Sequence, residues 1–336
     1  MKAAVLGQSG AQLQIEDRPR PQPRAGEVLI RVHACGVCHG DLMVLRGEFP
    51  FARYPIVPGH EVTGQVESVG DRVERIKPGT WVGLSALYSS CGRCQQCLRG
   101  EEFLCPQMQF TGVTKDGGYQ EFMLADAAFV TPLPSSLDPV EAAPLMCAGL
   151  TVFVGLRHAA FQPGHRVAVI GLGGLGQMGV LYARAMGGRV AVLSTSADKE
   201  AEARELGAER FINTRQHSPS AELMAWEGGA NIILATAPSV DSMTAAISGL
   251  APEGTMSVLG AGPGEIRVLP LELIMGRRRI MGSPAGSRAD LRAALEFAAA
   301  HGIRARVKRF SLDAAGEALA EMENGRLRGR AVLVMD

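Results

Sequence analysis

The chain has 336 residues, 46% of them hydrophobic and 20% charged, which is long enough for two domains that each bury a core. Lys plus Arg and Asp plus Glu both number 34, so the formal net charge is zero and no basic surplus points to nucleic acid or an anionic membrane as a partner. The longest apolar runs are broken by Gly or a charge within a few residues, so none has the length that spans a bilayer, and the opening MKAAVLGQSG lacks the apolar core of a secretory signal.

From residue 1 to about 135 the pattern predicts short strands divided by turns. EVLIRVHACG (27–36), HEVTGQVESVG (60–70) and TWVGLSALY (80–88) alternate or run apolar over strand lengths, while PQPRAG and GDRVERIKPG are turn clusters. GDRV followed by KPGTWV reads as the rim of a β-barrel rather than a βαβ unit. ACGVCHGDL carries Cys38 and PIVPGHEVTG carries His60. The segment SSCGRCQQCLRGEEFLCP places Cys91, Cys94, Cys97 and Cys105 in a C-x2-C-x2-C-x7-C run. Four thiolates this close surround one tetrahedral zinc and leave no open position, so the site they predict is structural. The alternative, a pair of disulfides, belongs to small secreted modules, whereas free thiols and a metal knuckle fit the reducing cytoplasm. Pro139 and Glu141 suit a first helical turn, and helical spacing then runs through VEAAPLMCAGLTVFVGLRHAA (140–160), which contains Cys147.

Beyond residue 150 strands and helices alternate, which predicts a doubly wound parallel sheet. RVAVIG (166–171), RVAVLS (189–194), FIN (211–213), NIILATA (231–237) and TMSVLG (255–260) read as strands. GLGQMGVLYARAMG (174–187), KEAEARELG (199–207) and DSMTAAISGLA (241–251) read as helices. Gly171, Gly173, Gly174, Leu175 and Gly176 form G-x-G-x-x-G straight after a strand and at the opening of a helix, the loop that brings backbone N–H groups to a dinucleotide pyrophosphate. The next strand tip offers Ser194, Thr195, Ser196 and Lys199 where an NAD site usually places a carboxylate. Hydroxyls and a cation suit a 2′-phosphate, so NADP(H) is the preferred cofactor, with NAD(H) the alternative if Asp198 reaches the ribose. DLRAALEFAAAHG (290–302) and EALAEMENGRLRG (317–329) are helices, and RAVLVM (330–335) is a last strand expected to return and partner MKAAVL.

Cys38, His60 and Cys147, together with CGVCH-x-D, GHE-x-x-G-x-V, the cysteine run, GLGGLG and STSADK in this order, make nearly the whole chain resemble the zinc-dependent medium-chain alcohol dehydrogenases, nearest the cinnamyl-alcohol and bacterial aldehyde-reductase branch. The resemblance implies an α/β protein: a β-rich GroES-like catalytic domain of residues 1–150 and 287–336, and a Rossmann nucleotide-binding domain of residues 151–286, with the active site in the cleft between them. It implies two zinc ions per subunit, one catalytic and one structural, and subunits paired as a homodimer or homotetramer through the nucleotide domain. Two Cys and one His with an open position is the ligand set already known for this family. By resemblance Cys38, His60 and Cys147 hold the catalytic zinc, Asp41 orients His60, Glu61 is a transient ligand, His39 meets the pyrophosphate and Leu87 lines the substrate pocket.

One departure bears on mechanism. The family places Ser or Thr after His39, to pass the proton between substrate and ribose, and here stands Gly40 in the substrate pocket, with Met43 where some members carry a relay histidine. The leading expectation is a cytoplasmic enzyme exchanging hydride between NADP(H) and a small alcohol or aldehyde. Reduction of a conjugated C=C or C=N bond on the same scaffold is the alternative that Gly40 and Met43 raise, and a non-catalytic NADP-binding sensor is the alternative from another class.

Overall fold

In the computed structural model, which describes residues 1–335, the β-branched run EVLIRVHACG forms the strand Glu27–Gly36. Around it lies a seven-stranded sheet in the order Val307–Ser311, Arg330–Val334, Glu27–Gly36, Glu61–Val69, Trp81–Leu84 and Thr131–Pro132, with Phe122–Asp126 paired to the first half of Glu27–Gly36. Ala3, Val28, Ile30, Leu84, Tyr119 and Leu333 are buried in its apolar core. This sheet belongs to a compact unit made of Met1–Leu150 and the chain from Gly286 onward, while Thr151–Ala285 form a second unit.

The last strand does not pair with MKAAVL. Arg330–Val334 lies antiparallel to Glu27–Gly36 through Val332↔Gly36, Leu333↔Cys35 and Val334↔Ala34, and parallel to Val307–Ser311. The N-terminal segment, Lys2–Val5, instead takes Gln14–Asp17 as its partner. A neighbour close in sequence closes a smaller loop, and on its other side the amino end bridges to residues 119–121, Ala4 N donating to Tyr119 O at 2.8 Å. TWVGLSALY also divides, into Trp81–Leu84 and Leu87–Ser89, where Ser85 Oγ accepts from Leu87 N at 3.4 Å. The helix expected over 317–329 spans Ala315–Glu323 and ends before Gly325, whose φ is 64°.

In the second unit the strand order is Arg210–Asn213, Arg189–Ser194, Arg166–Ile170, Ala230–Ala235, Leu250–Val258 and Arg279–Gly282, and every neighbouring pair is parallel. That is the doubly wound order expected from the alternating pattern. Val167, Ala168 and Val169 are fully buried, as a strand covered on both faces requires. Among the described residues no single helix is long and apolar enough to cross a membrane.

The return to the first unit is pinned at Arg288. Ser287 caps the helix Arg288–His301, its Oγ accepting from Asp290 N at 3.3 Å. Glu102, buried in a short turn inside the cysteine run, accepts from Arg288 N at 3.1 Å and Nε at 2.8 Å, and Arg288 Nη1 donates to Ala128 O at 2.9 Å. Replacing Glu102 by Ala leaves those donors unpaired, and because the Arg288 side chain is 40% exposed the loss is moderate. Glu102→Ala is expected to lower the unfolding free energy by about 2 kcal/mol in urea titration, with zinc content unchanged.

Candidate functional site

Three segments far apart in sequence converge at the end of the strand Glu27–Gly36. Cys38 precedes the helix His39–Leu45; His60 and Glu61 open the strand Glu61–Val69; Cys147 lies at a break between the 3-10 turn Ala143–Met146 and the helix Ala148–His158. The continuous helix expected over 140–160 is interrupted there, with Cys147 at φ −125°, ψ −68°. One donor atom from each of Cys38, His60, Glu61 and Cys147 lies within 4.8 Å of every other. Cys38 Sγ and Cys147 Sγ are 3.9 Å apart, beyond the ~2.05 Å of a disulfide.

Asp41 organises this group. Its Oδ1 meets His60 Nδ1 at 2.9 Å and Gly59 N at 3.2 Å; its Oδ2 accepts from Cys38 N at 2.9 Å and from Tyr119 OH at 2.9 Å. Because a carboxylate only accepts, His60 carries a proton on Nδ1, which leaves Nε2 as the nitrogen that faces the sulfurs and would bind a metal once its own proton is displaced. Burial and the Asp41 carboxylate both push the Tyr119 phenol up, so it stays a donor.

The donors interact strongly. The bond from Cys147 holds the Cys38 thiol well below its ordinary range, against the effect of burial and with help from His60. The same contact, with burial, pushes Cys147 up. Burial pulls His60 down, but Asp41 and Cys38 outweigh it and raise it well above the usual value. Burial pushes Glu61 up to about 8, with Arg330 working against the shift. A divalent cation among these donors reverses the balance by displacing their protons.

Two glycines make room. A Cβ on Gly36 would lie 1.9 Å from Glu61 Oε2. A Cβ on Gly40 would lie 3.0 Å from His60 Cε1, so the missing side chain lets the helix approach the imidazole closely. Next to it His39 is exposed and Met43 half-buried. Leu87, expected in the substrate pocket, packs in the apolar core at 2% exposure and offers almost no surface to a ligand.

The second cysteine group is also assembled. Cys91, Cys94, Cys97 and Cys105 bring one sulfur each within 4.8 Å of the others. Backbone N–H groups donate to sulfur: Cys94 N to Cys91 at 3.3 Å, Cys91 N and Gln107 N to Cys105 at 3.4 Å. Donation from Arg93 N and Cys94 N holds Cys91 down at about 6. All the cysteines are free thiols, and Cys35 is a fully buried one without a place in either group.

In the second unit, the G-x-G-x-x-G loop joins the strand Arg166–Ile170 to the helix Gly174–Ala185. Gly171 has φ +88°, a conformation that favours glycine. A Cβ on Gly176 would lie 2.1 Å from Gly171 O, whereas one on Gly173 would meet nothing within 4 Å. The turn, the close packing and the open approach thus fall on separate glycines, with Gly174 and Leu175 in the first helical turn. At the strand tip Ser194 Oγ accepts from Ser196 N at 3.1 Å, a local cap, while Thr195 and Asp198 are exposed. Lys199 Nζ sits 3.1 Å from Glu202 Oε2, and Gln177 Nε2 donates to Glu202 Oε1 at 3.1 Å.

Sequence reasoning missed Arg330, Tyr119, Gly36 and Glu202. Arg330 carried one signal, a cation at the head of the otherwise apolar RAVLV.

Comparison with known proteins agrees with this arrangement. Residues 24–135 match the alcohol dehydrogenase GroES-like domain family and residues 174–300 the zinc-binding dehydrogenase family. An alcohol dehydrogenase from Moraxella sp. (strain TAE123) is 40% identical over 334 residues, 99% of each chain. A cinnamyl alcohol dehydrogenase structure from Sorghum bicolor superposes with a TM-score of 0.90 at 33% identity, covering 99% of this chain and 97% of that one. The structure of CAD from Helicobacter pylori complexed with NADP(H) gives a TM-score of 0.89 at 26% identity, covering 99% and 97%.

The close approach of Gly36 to Glu61 sets an expectation that needs no assay of function. Gly36→Ala forces the buried Glu61 carboxylate aside and is expected to destabilise the protein by about 2 kcal/mol, read as a lower midpoint in thermal denaturation.

Proposed function

This chain belongs to the zinc-dependent medium-chain alcohol dehydrogenase family and is a zinc-type alcohol oxidoreductase; we propose that it prefers NADP(H), holds a catalytic zinc through Cys38, His60 and Cys147 and a structural zinc through Cys91, Cys94, Cys97 and Cys105. The observation that carries this reading is the convergence of the Cys38, His60, Glu61 and Cys147 donors within 4.8 Å around an imidazole whose Nδ1 is committed to Asp41. The donor set fits zinc: soft thiolates, an imidazole whose Nε2 faces the sulfurs, and a buried Glu61 Oε2 without a partner. A zinc held by Cys38, His60 and Cys147 would supply Lewis-acid polarisation of a substrate oxygen, and a nicotinamide bound at the Gly171–Gly176 loop would supply the hydride carrier.

The chain's own residues do the positioning. Asp41 locks the imidazole orientation, as carboxylates behind metal-bound histidines do. Gly173 leaves the backbone open to a pyrophosphate at the N-terminus of the helix Gly174–Ala185, and His39 is exposed for a contact with the same group. Gly40 brings no hydroxyl, so the substrate proton passes by way of solvent water. Ser194, Thr195, Ser196 and Lys199 favour the 2′-phosphate, Lys199 exchanging Glu202 for it. NAD(H) use would fall to the exposed Asp198.

We further place the protein in the cytoplasm, in keeping with its free thiols, as a homodimer or homotetramer. Arg279–Gly282 is an edge strand, and Leu269, Leu271, Ile274 and Met275 beside it are 65% to 78% exposed, a surface suited to a second copy of the same edge. Small alcohols and aldehydes are the substrates, and the balanced charge favours neither nucleic acid nor membrane.

Product analysis tests the chemistry. Zinc-loaded enzyme with NADPH and cinnamaldehyde is expected to yield the unsaturated alcohol by NMR, and Cys38→Ala to lose at least about a thousandfold in rate together with one zinc equivalent. The saturated aldehyde would replace this reading with conjugate reduction, which the missing hydroxyl at Gly40 favours; no turnover across an aldehyde panel despite tight NADPH binding would point to a sensor. For the cofactor, Ser194→Asp is expected to reduce the ratio of kcat/KM for NADPH over NADH by at least about tenfold, because it sets a carboxylate against the phosphate.

A further inference from the structure

The first unit contains a cavity of about 530 Å³, a volume within the range of small-molecule sites. Its wall comes chiefly from residues 18–27, from Tyr88 and from residues 115–124. None of the grouped metal donors Cys38, His60, Glu61 and Cys147 lines it, and neither does any residue of the second unit.

Tyr88 marks the cavity as more than a surface fold. Its side chain is buried, the residue being 7% exposed, and it lines the wall. Buried phenols ordinarily find a hydrogen-bond partner. Tyr54 OH donates to Val44 O at 2.7 Å and Tyr119 OH to Asp41 Oδ2 at 2.9 Å, whereas the Tyr88 hydroxyl bonds to none of the described residues. Burial, helped by the carboxylates of Glu27, Asp126 and Asp116, pushes this phenol up, so it stays a donor.

The charges of the wall are unequally engaged. Glu27 Oε2 accepts from Arg24 N at 2.9 Å; Asp116 accepts from Val57 N at 3.0 Å and from Arg18 Nη1 at 3.2 Å. Lys115 Nζ stands 5.8 Å over the Tyr88 ring, and neither it nor the Arg24 guanidinium meets a carboxylate among the described residues. Three cationic side chains thus face two carboxylates, and the groups left without partners are donors. Donors beside apolar surface from Pro21, Phe122 and Leu124 suit a ligand with acceptor oxygens on an apolar body. The surplus of one positive charge matches a monoanion, and a planar ring is what such a wall packs against.

We propose that this cavity is a second ligand site, apart from the metal donors, that binds a small aromatic carboxylate, the Tyr88 hydroxyl and Lys115 Nζ holding the carboxylate and the apolar wall holding the ring.

The full-length protein titrated with 4-fluorobenzoate and followed by fluorine NMR tests this. Saturable binding is expected, unchanged by excess NADPH. Lys115→Ala and Tyr88→Phe are each expected to weaken it at least about tenfold, and neutral 4-fluorobenzamide to bind at least about tenfold more weakly than the acid. No saturation at millimolar benzoate would overturn the proposal. Displacement by NADPH would overturn it too, by placing the carboxylate in the nucleotide site. Equal binding of the benzamide would overturn the anion assignment. Lys115 is exposed, so Lys115→Ala leaves the fold intact, and its unweakened binding would overturn the proposal even if Tyr88→Phe fails to fold.

Discussion

The Asp41 carboxylate is the contact on which the geometry of the Cys38–His60–Glu61–Cys147 group depends. It gathers the His60 imidazole, the backbone N–H groups of Gly59 and Cys38, and the Tyr119 hydroxyl. These four donors come from three pieces of chain: the turn after Pro58, the start of the helix His39–Leu45, and the strand-flanking segment near residue 119. A single buried anion at 1% exposure is stable only when its lone pairs are so filled. The arrangement therefore works in both directions. The donors stabilise the charge, and the charge fixes where the donors sit. His60 tautomer, Cys38 backbone direction and the Gly59 turn are consequences of one ionised group.

Around that anion the site alternates charges instead of excluding them. His60 lies between Asp41 and the two sulfurs, and Glu61 lies between the sulfurs and Arg330. Burying this many ionisable groups is expensive unless each has an opposite neighbour. Fixed opposite charges make the donor set rigid before any ligand arrives, which is what a site required to hold one geometry through a reaction needs. The two glycines serve the same end. Gly36 and Gly40 let the carboxylate and the imidazole pack against backbone with no intervening side chain.

Legibility in the sequence followed the range over which each feature is encoded. The cysteine run and G-x-G-x-x-G are written in short windows, and both fold locally into the groups their spacing implied. The alternating strands and helices after residue 150 gave the parallel order for the same reason. Cys38, His60 and Cys147 were visible only through a family pattern, because nothing in the spacing of three distant residues brings them together. Arg330 carried only the weak signal of a cation heading an apolar strand: it meets Glu61 across a separation of 269 residues, through a strand whose pairing was expected with MKAAVL instead. Leu87, at the start of the strand Leu87–Ser89, was read as lining a pocket through the same pattern, and the structure packs it in the apolar core.

The Glu61–Arg330 pair also joins parts of the first unit that are far apart in sequence. The grouped donors come from residues 38–147, yet the strand that carries Arg330 follows the whole parallel-sheet unit, 151–285. Contacts of such long sequence separation form late, because the loop-closure entropy must be met first. The buried counter-charge of Glu61 therefore comes from a segment 269 residues away, after the point where Glu102 holds Arg288 against the cysteine run.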